Sequence, residues 1–308
     1  MSEAMRDAWG MALVSYGEDH PELVVLDADV SSSTKSRLFG ERYPERFFNL
    51  GVAEGNLLGT AAGLATAGFH PVVNAFAIFL ALKASDQIRN DICYNNLPVV
   101  IAGAYGGLSD SFDGASHQSI TDIAIMRAFP NMQVIVPSDA GQAKAALAYA
   151  MAQHGPVYVR LNRNAMPDLP FSADFAKGKA ICCRKGSDVT IAANGITVSL
   201  AMEAAEMLAK DGIEAEVLSV PFVKPLDVAG LAESAMKTGR ILTVEEHNLV
   251  GGFSGAVSEA FMKKGICCRF DSIGIEDRFT ETGPYLPLLA AYGISSEHIA
   301  KCATTLCK

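Results

Sequence analysis

Short apolar runs alternate along this chain with longer stretches in which small and apolar residues recur at helical spacing. Residues 23–26 (LVVL), 98–102 (PVVIA), 132–137 (MQVIVP) and 156–161 (PVYVRL) read as strands, and residues 71–74 open another. Between them, residues 54–66 (EGNLLGTAAGLAT, closed by Gly68), 76–92, 120–127 and 139–153 read as helices. Strands of four to six residues, separated by helices, form a mostly parallel sheet covered by those helices. Two prolines with Asn, Asp and Gly then break the pattern over residues 162–180. The alternation restarts with strands at 189–193, 215–220, 240–244 and 267–273, and helices at 198–210, 225–236 and 255–264. The expectation is an α/β protein with two parallel or mostly parallel sheets: a domain over residues 1–165, a linker over 166–185 and a smaller domain over 186–308.

A length of 308 residues suits two domains of about 150 residues each. Half the residues are apolar and 19% are charged, enough for substantial cores and unlike a disordered chain. The net charge of −9 argues against a nucleic-acid surface, although a local basic pocket for a phosphate stays compatible with it. The first residues lack a basic start leading into an apolar run, and no apolar run reaches the ~18 residues of a membrane span. A cytoplasmic protein with no membrane partner is expected. Seven cysteines, none in CxxC spacing, fit reduced thiols better than disulfides or zinc ligands.

Three features could carry chemistry. Glu54 opens the helix at 54–66, where the helix dipole alone would favour a carboxylate. The turns that follow it are Gly55, Gly59, Ala61, Ala62, Gly63 and Ala65, a face almost without side chains that permits close approach. Phe76 and Phe79 share a helical face and suit either the core or a stacking platform for a flat heterocycle. The polar segment DSFDGASHQS follows a strand, where α/β proteins bind ligands, and offers Asp113, Ser116 and His117.

The runs RFFNLGVAEGNLLGTAAGLA, NAFAIFLALKASDQIRN, DGASHQSITDIAIMRAFPNMQVIVPSDA, GPVYVRLNR and TVEEHNLVGGFSGAVSE together resemble the C-terminal subunit of split transketolases, in the thiamin-diphosphate enzyme superfamily. The resemblance covers nearly the whole chain. It implies a pyrimidine-binding domain followed by a transketolase C-terminal-like domain, and the transfer of a two-carbon ketol unit from a ketose phosphate to an aldose phosphate. Glu54 is implied to hydrogen-bond N1′ of the cofactor's aminopyrimidine, and Phe76 and Phe79 to wall that ring. His117 is implied to act in catalysis by steadying a developing alkoxide or oxyanion. Lys35, Tyr105, Asp113 and Arg160 are implied to touch substrate, Lys35 and Arg160 through its phosphate, with Arg163 a weaker candidate. Glu245, Glu246 and His247 fall in a domain whose family role is architectural.

The family's Gly-Asp-Gly, which with a later Asn holds the diphosphate and its metal, occurs nowhere in this chain. The resemblance therefore implies half an active site. A companion N-terminal subunit would carry that motif with Mg²⁺ (or Ca²⁺), in an α2β2 assembly with two interfacial sites. The sequence also departs from the family pattern. Tyr105 stands where a His is usual, Ser111-Phe112 where Gly-Glu is usual, Gly55 for a common Gln and Leu82 for a third aromatic. These changes put an ordinary ketopentose donor in question. The competing readings are a deoxyxylulose-phosphate-synthase-like enzyme, a 2-oxoacid dehydrogenase E1 β subunit, a transketolase-like enzyme for a non-standard ketose, and a non-catalytic paralogue.

Overall fold

The structure is a computed structural model that describes residues 3–171 and 175–308. The strands are β1 (Leu23–Asp27), β2 (Phe47–Asn49), β3 (His70–Phe76), β4 (Val100–Ala104), β5 (Gln133–Ile135), β6 (Val157–Arg160), β7 (Ile181–Arg184), β8 (Val189–Ala193), β9 (Ala215–Ser219), β10 (Phe222–Lys224), β11 (Arg240–Asn248) and β12 (Arg269–Ile275). They form a seven-stranded sheet, in the order β10-β5-β6-β4-β3-β1-β2, and a five-stranded sheet, in the order β12-β11-β8-β9-β7. Every pairing among β1 to β6 is parallel. β1, β4 and β6 are buried along their whole length, as expected of strands with helices on both faces.

Two features depart from the expected layout. Residues 76–92 are not one helix. β3 runs on to Phe76, helix Ala77–Lys83 follows, and the chain then passes through the short turn Ser85–Gln87 into the π-helical Ile88–Cys93. Phe76 therefore ends a strand and Phe79 sits one turn into a helix, both at the carboxyl edge of the sheet. The domains also interlock. β10 comes from the second half, yet it pairs antiparallel with β5 of the first sheet. β7 lies within the segment expected to be linker and pairs antiparallel with β9.

The opening helix Met5–Asp19 buries Trp9, whose Nε1 donates to Asn74 Oδ1 at 2.9 Å and so ties the helix to β3. All seven cysteines are free thiols. Among the described residues, no helix is long and apolar enough to cross a membrane.

The seam between the halves is built on Arg160, the last residue of β6, which is 5% exposed. Its Nε donates to Asp122 Oδ2 at 2.9 Å, and its Nη2 donates to Ser119 O at 2.8 Å and Glu246 O at 2.9 Å. The Tyr158 hydroxyl donates to the same Asp122 oxygen at 2.7 Å. Burial alone would raise the Asp122 carboxyl, but Arg160, His247 and Tyr158 together hold it below its ordinary value. One guanidinium thus joins β6, the loop before helix Asp122–Ala128, and β11 of the second domain.

Removing one partner of such a pair strands a buried charge, whereas removing both does not. Arg160→Met should therefore lower unfolding stability by about 3 kcal/mol or more. The double variant Arg160→Met/Asp122→Leu should recover a large part of that loss. Urea unfolding of both variants checks this, and a single variant within about 0.5 kcal/mol of the parent would contradict it.

Candidate active site

The carboxyl ends of β1, β3, β4 and β6 open onto one edge of the first sheet, where parallel α/β folds present their loops. After β1, the buried Asp27 organises the loop that follows. It accepts from Val30 N at 2.6 Å, Thr34 Oγ1 at 2.8 Å and Ser36 Oγ at 2.7 Å. Burial raises the Asp27 carboxyl against those three donors. The loop carries Lys35 at φ +66°, with its Nζ 3.4 Å from Asp7 Oδ1.

After β4, Tyr105 adopts φ +62°, a left-handed conformation that costs a non-glycine residue on the order of 1 kcal/mol. The turn lays its ring on Phe76, with centroids 4.7 Å apart and planes 17° apart. Arg6 of the opening helix donates from Nη1 to the Tyr105 hydroxyl at 2.6 Å. The Arg163 guanidinium lies 5.0 Å from the centre of the same ring, and its Nη1 is 2.7 Å from Asp110 Oδ1. The Asp110 carboxyl is raised by burial first and by the neighbouring Asp113 charge second.

His117 stands edge-on to both phenylalanines, 5.2 Å from the Phe79 centroid and 6.1 Å from that of Phe76. Its Nδ1 is 2.9 Å from Ser116 Oγ. Phe76 and Phe79 are themselves 6.0 Å apart and tilted by 46°. Glu54, in the first turn of helix Glu54–Thr66, is only 5% exposed. Lys83 Nζ lies 3.6 Å from Glu54 Oε1 and 4.2 Å from the centre of the Phe79 ring. A buried carboxylate and a half-buried aromatic ring, bridged by one lysine, suit a planar, hydrogen-bonding heterocycle. The neighbouring cations suit an oxyanion.

The second domain fixes the loop that carries His117. Leu108 N donates to Glu246 Oε1 at 2.8 Å, Gln118 Nε2 to Glu281 O at 3.0 Å, Gly283 N to Ser111 O at 3.1 Å, and Asn248 N to Ile120 O at 2.9 Å. Gly107 is held at φ +65° against Glu246. A Cβ there would lie 2.3 Å from the Glu246 carboxyl carbon, so only glycine fits. Asn162 Nδ2 and the Tyr285 hydroxyl also donate to Glu246. Burial nevertheless pushes its carboxyl up to about 7, against the pull of Arg160 and these donors. Glu245 instead accepts from Phe253 N and Ser254 N at the start of helix Phe253–Lys264. These residues act as joinery.

Of the residues singled out in the sequence, Glu54, Phe76, Phe79, Lys35, Tyr105, Asp113 and His117 lie on this one edge. Arg160 does not reach it. Its guanidinium is buried and spent on Asp122, Ser119 and Glu246, so it is not available to a substrate phosphate. Arg163, three residues on, is 37% exposed and faces the cleft. Arg6 lies outside the quoted motifs, and Lys83 and Asp110 lie within them but gain their place only from tertiary neighbours: Tyr105 for Arg6, Glu54 and Phe79 for Lys83, and Arg163 for Asp110. Among the described residues, no group of three or more His, Cys, Asp or Glu side chains is placed to hold a metal ion.

Residues 2–168 match the family model for the transketolase pyrimidine-binding domain, and residues 178–299 match the transketolase C-terminal domain. A protein of Methanocaldococcus jannaschii assigned as a transketolase C-terminal section is 40% identical, over 97% of this chain and 95% of its own length. A 6-deoxy-6-sulfo-D-fructose transketolase subunit of Clostridium sp. is 37% identical, over 97% and 93%. The solved structure of a split-gene transketolase, an inactive beta4 tetramer, superposes with a TM-score of 0.90 at 43% identity, over 100% of this chain and 99% of that one. The chain also matches 1-deoxy-D-xylulose-5-phosphate synthases, but spans under half of their length.

His247 supplies a pH test of the seam. It is buried, its Nδ1–H donates to Asn248 O at 2.7 Å, and its Nε2 accepts from Ala124 N at 3.4 Å. Asp122, Arg160 and Glu245 surround it. Burial pushes its pKa down to about 4, so the folded state binds that proton less readily than the unfolded chain. Its contribution to stability is complete above the unfolded value of ~6.5 and is lost as pH falls through about 4. The stability difference between the parent and His247→Gln should therefore shrink as pH is lowered across that window. A pH-independent difference in chemical denaturation would contradict this assignment.

Proposed function

Because this chain belongs to the transketolase family as a C-terminal section, we propose that its cleft holds the aminopyrimidine half of thiamin diphosphate and a ketose donor whose far end is anionic. The reading rests chiefly on the buried Glu54 carboxylate and the Phe79 ring, both of which the Lys83 ammonium touches. These groups fit the cofactor: a carboxylate for a ring nitrogen, and an aromatic wall of Phe79 and Phe76 for the ring itself. When bound, thiamin diphosphate supplies the carbon nucleophile that carries the two-carbon unit between sugars.

The residues of this chain divide the remaining work. Glu54 orients the pyrimidine and holds or moves a proton at its N1′. The aromatic wall excludes water from that side. His117, steadied through Nδ1 by Ser116, directs its other ring nitrogen to a substrate oxygen and stabilises charge developing there. Asp113 accepts from donor hydroxyls, and the buried Asp110 positions Arg163 and tunes the neighbouring His117. Arg6 and Arg163 converge on Tyr105 and, with Lys35 paired to Asp7 beside Arg6, hold the anionic end. Phosphate is the expected anion. A sulfonate presents the same tetrahedral oxygens, and the similarity to the sulfofructose transketolase subunit supports the non-standard-ketose reading as the alternative.

Nothing in the sequence supplies the Gly-Asp-Gly motif for the diphosphate and Mg²⁺. We assign that half to a companion N-terminal subunit, in an α2β2 assembly working in the cytoplasm.

Two substitutions test this reading. Glu54→Gln in the assembled enzyme should lower turnover by about two orders of magnitude or more and leave assembly intact, as measured by ketol-transfer assay and gel filtration. Unchanged turnover would remove Glu54 from catalysis, and absence of any turnover in the parent assembly would favour a non-catalytic paralogue. Tyr105→His removes the hydroxyl that takes Arg6 and should alter kcat/KM ratios among ketose donors more than it alters cofactor affinity. Equal effects on every donor would remove Tyr105 from specificity.

A further inference from the structure

Lys83 touches both parts of the proposed pyrimidine slot. It closes helix Ala77–Lys83, and its side chain is about half exposed. Its ammonium lies 3.6 Å from Glu54 Oε1 and 4.2 Å from the centre of the Phe79 ring. It thereby makes an ion pair and a cation–π contact with the two groups assigned to the flat ring. An ammonium over the ring face and a heterocycle stacked on that face cannot share the space.

We infer that Lys83 is an internal competitor for the pyrimidine slot: it neutralises Glu54 and covers Phe79, and it must swing outward to let the ring in. This inference rests on the assignment of Glu54 and Phe79 to the cofactor. The alternative position is within easy reach, because Lys83 ends its helix and carries a long, flexible stem that can turn to solvent without moving backbone. The exchange involves no covalent step. An ion pair and a cation–π contact are given up, and the ring's hydrogen bond and stacking replace them. Because each lost contact is weak at a partly exposed site, the barrier is modest and the effect falls on affinity.

The test is binding of thiamin diphosphate with Mg²⁺ to the complex of this chain and its companion subunit, by isothermal titration calorimetry. Three proteins are compared: the parent, Lys83→Met and Lys83→Arg. Lys83→Met keeps the stem but removes the charge and should bind the cofactor about three- to tenfold more tightly. Lys83→Arg keeps a cation over the ring and should stay near the parent. A Kd for Lys83→Met equal to or weaker than that of the parent overturns the competitor role and leaves the cofactor site standing. Tighter binding by both variants also overturns it, since the charge would then be irrelevant. Failure of the parent complex to bind the cofactor at all overturns the underlying functional reading, and the competitor role with it.

Discussion

The arrangement depends on one buried ion pair. Arg160 and Asp122 lie where β6, the loop leading to helix Asp122–Ala128, and β11 meet. A guanidinium this deeply buried needs partners for its donors, and here its Nε and Nη2 are taken by a carboxylate and two backbone carbonyls, one of them from the second domain. The consequence reaches the cleft. The segment from Tyr105 to Thr121 leaves β4 at one end and enters the Asp122 helix at the other, and Arg160 grips its Ser119 carbonyl. Glu246 grips the same segment at Leu108. His117 is thus set by contacts that span both domains, and the second domain contributes to the site by holding the loop that carries it.

The two sides of the cleft differ in chemistry. At one end, Glu54, Phe79 and Phe76 make a partly apolar slot with a single carboxylate. At the other, Arg6 and Arg163 gather at Tyr105, with Lys35 paired to Asp7 beside Arg6, on a chain whose net charge is −9. Concentrating cations there against that acidic background focuses the field on one spot, which suits a small anionic substrate. Tyr105 is common to both sides: its ring continues the aromatic wall through Phe76, and its hydroxyl takes Arg6. Its left-handed backbone is the kind of local strain that functional sites keep.

Much of this was legible in the sequence, and the pattern of success has physical causes. Parallel strands covered on both faces leave continuous apolar runs, so β1, β4 and β6 declared themselves. Loop and helix-start residues sit in long motifs, so Glu54, His117 and the phenylalanines could be named as candidates. A motif fixes a position along the chain but not its direction: Arg160 turns into the seam between the domains, whereas Arg163, three residues on and past the strand end, pairs with Asp110 and lies over the Tyr105 ring. Arg6 and Lys83 were invisible because each acts through tertiary proximity alone. β10 was hidden for the same reason: nothing in PFVK shows that it will leave its own domain and complete the other sheet. The break after Lys83 within residues 76–92 also went unseen, since the apolar spacing continues through the π-helical turn.

The central claim is that this chain forms one half of a thiamin-diphosphate site and that a second polypeptide forms the other. Native mass spectrometry of the protein, purified gently from its own host with thiamin diphosphate and Mg²⁺ present, tests it most directly. The account predicts a complex of this chain with a second polypeptide that carries Gly-Asp-Gly and a downstream Asn, and that retains the cofactor. A homo-oligomer of this chain alone that retains no thiamin diphosphate would contradict it.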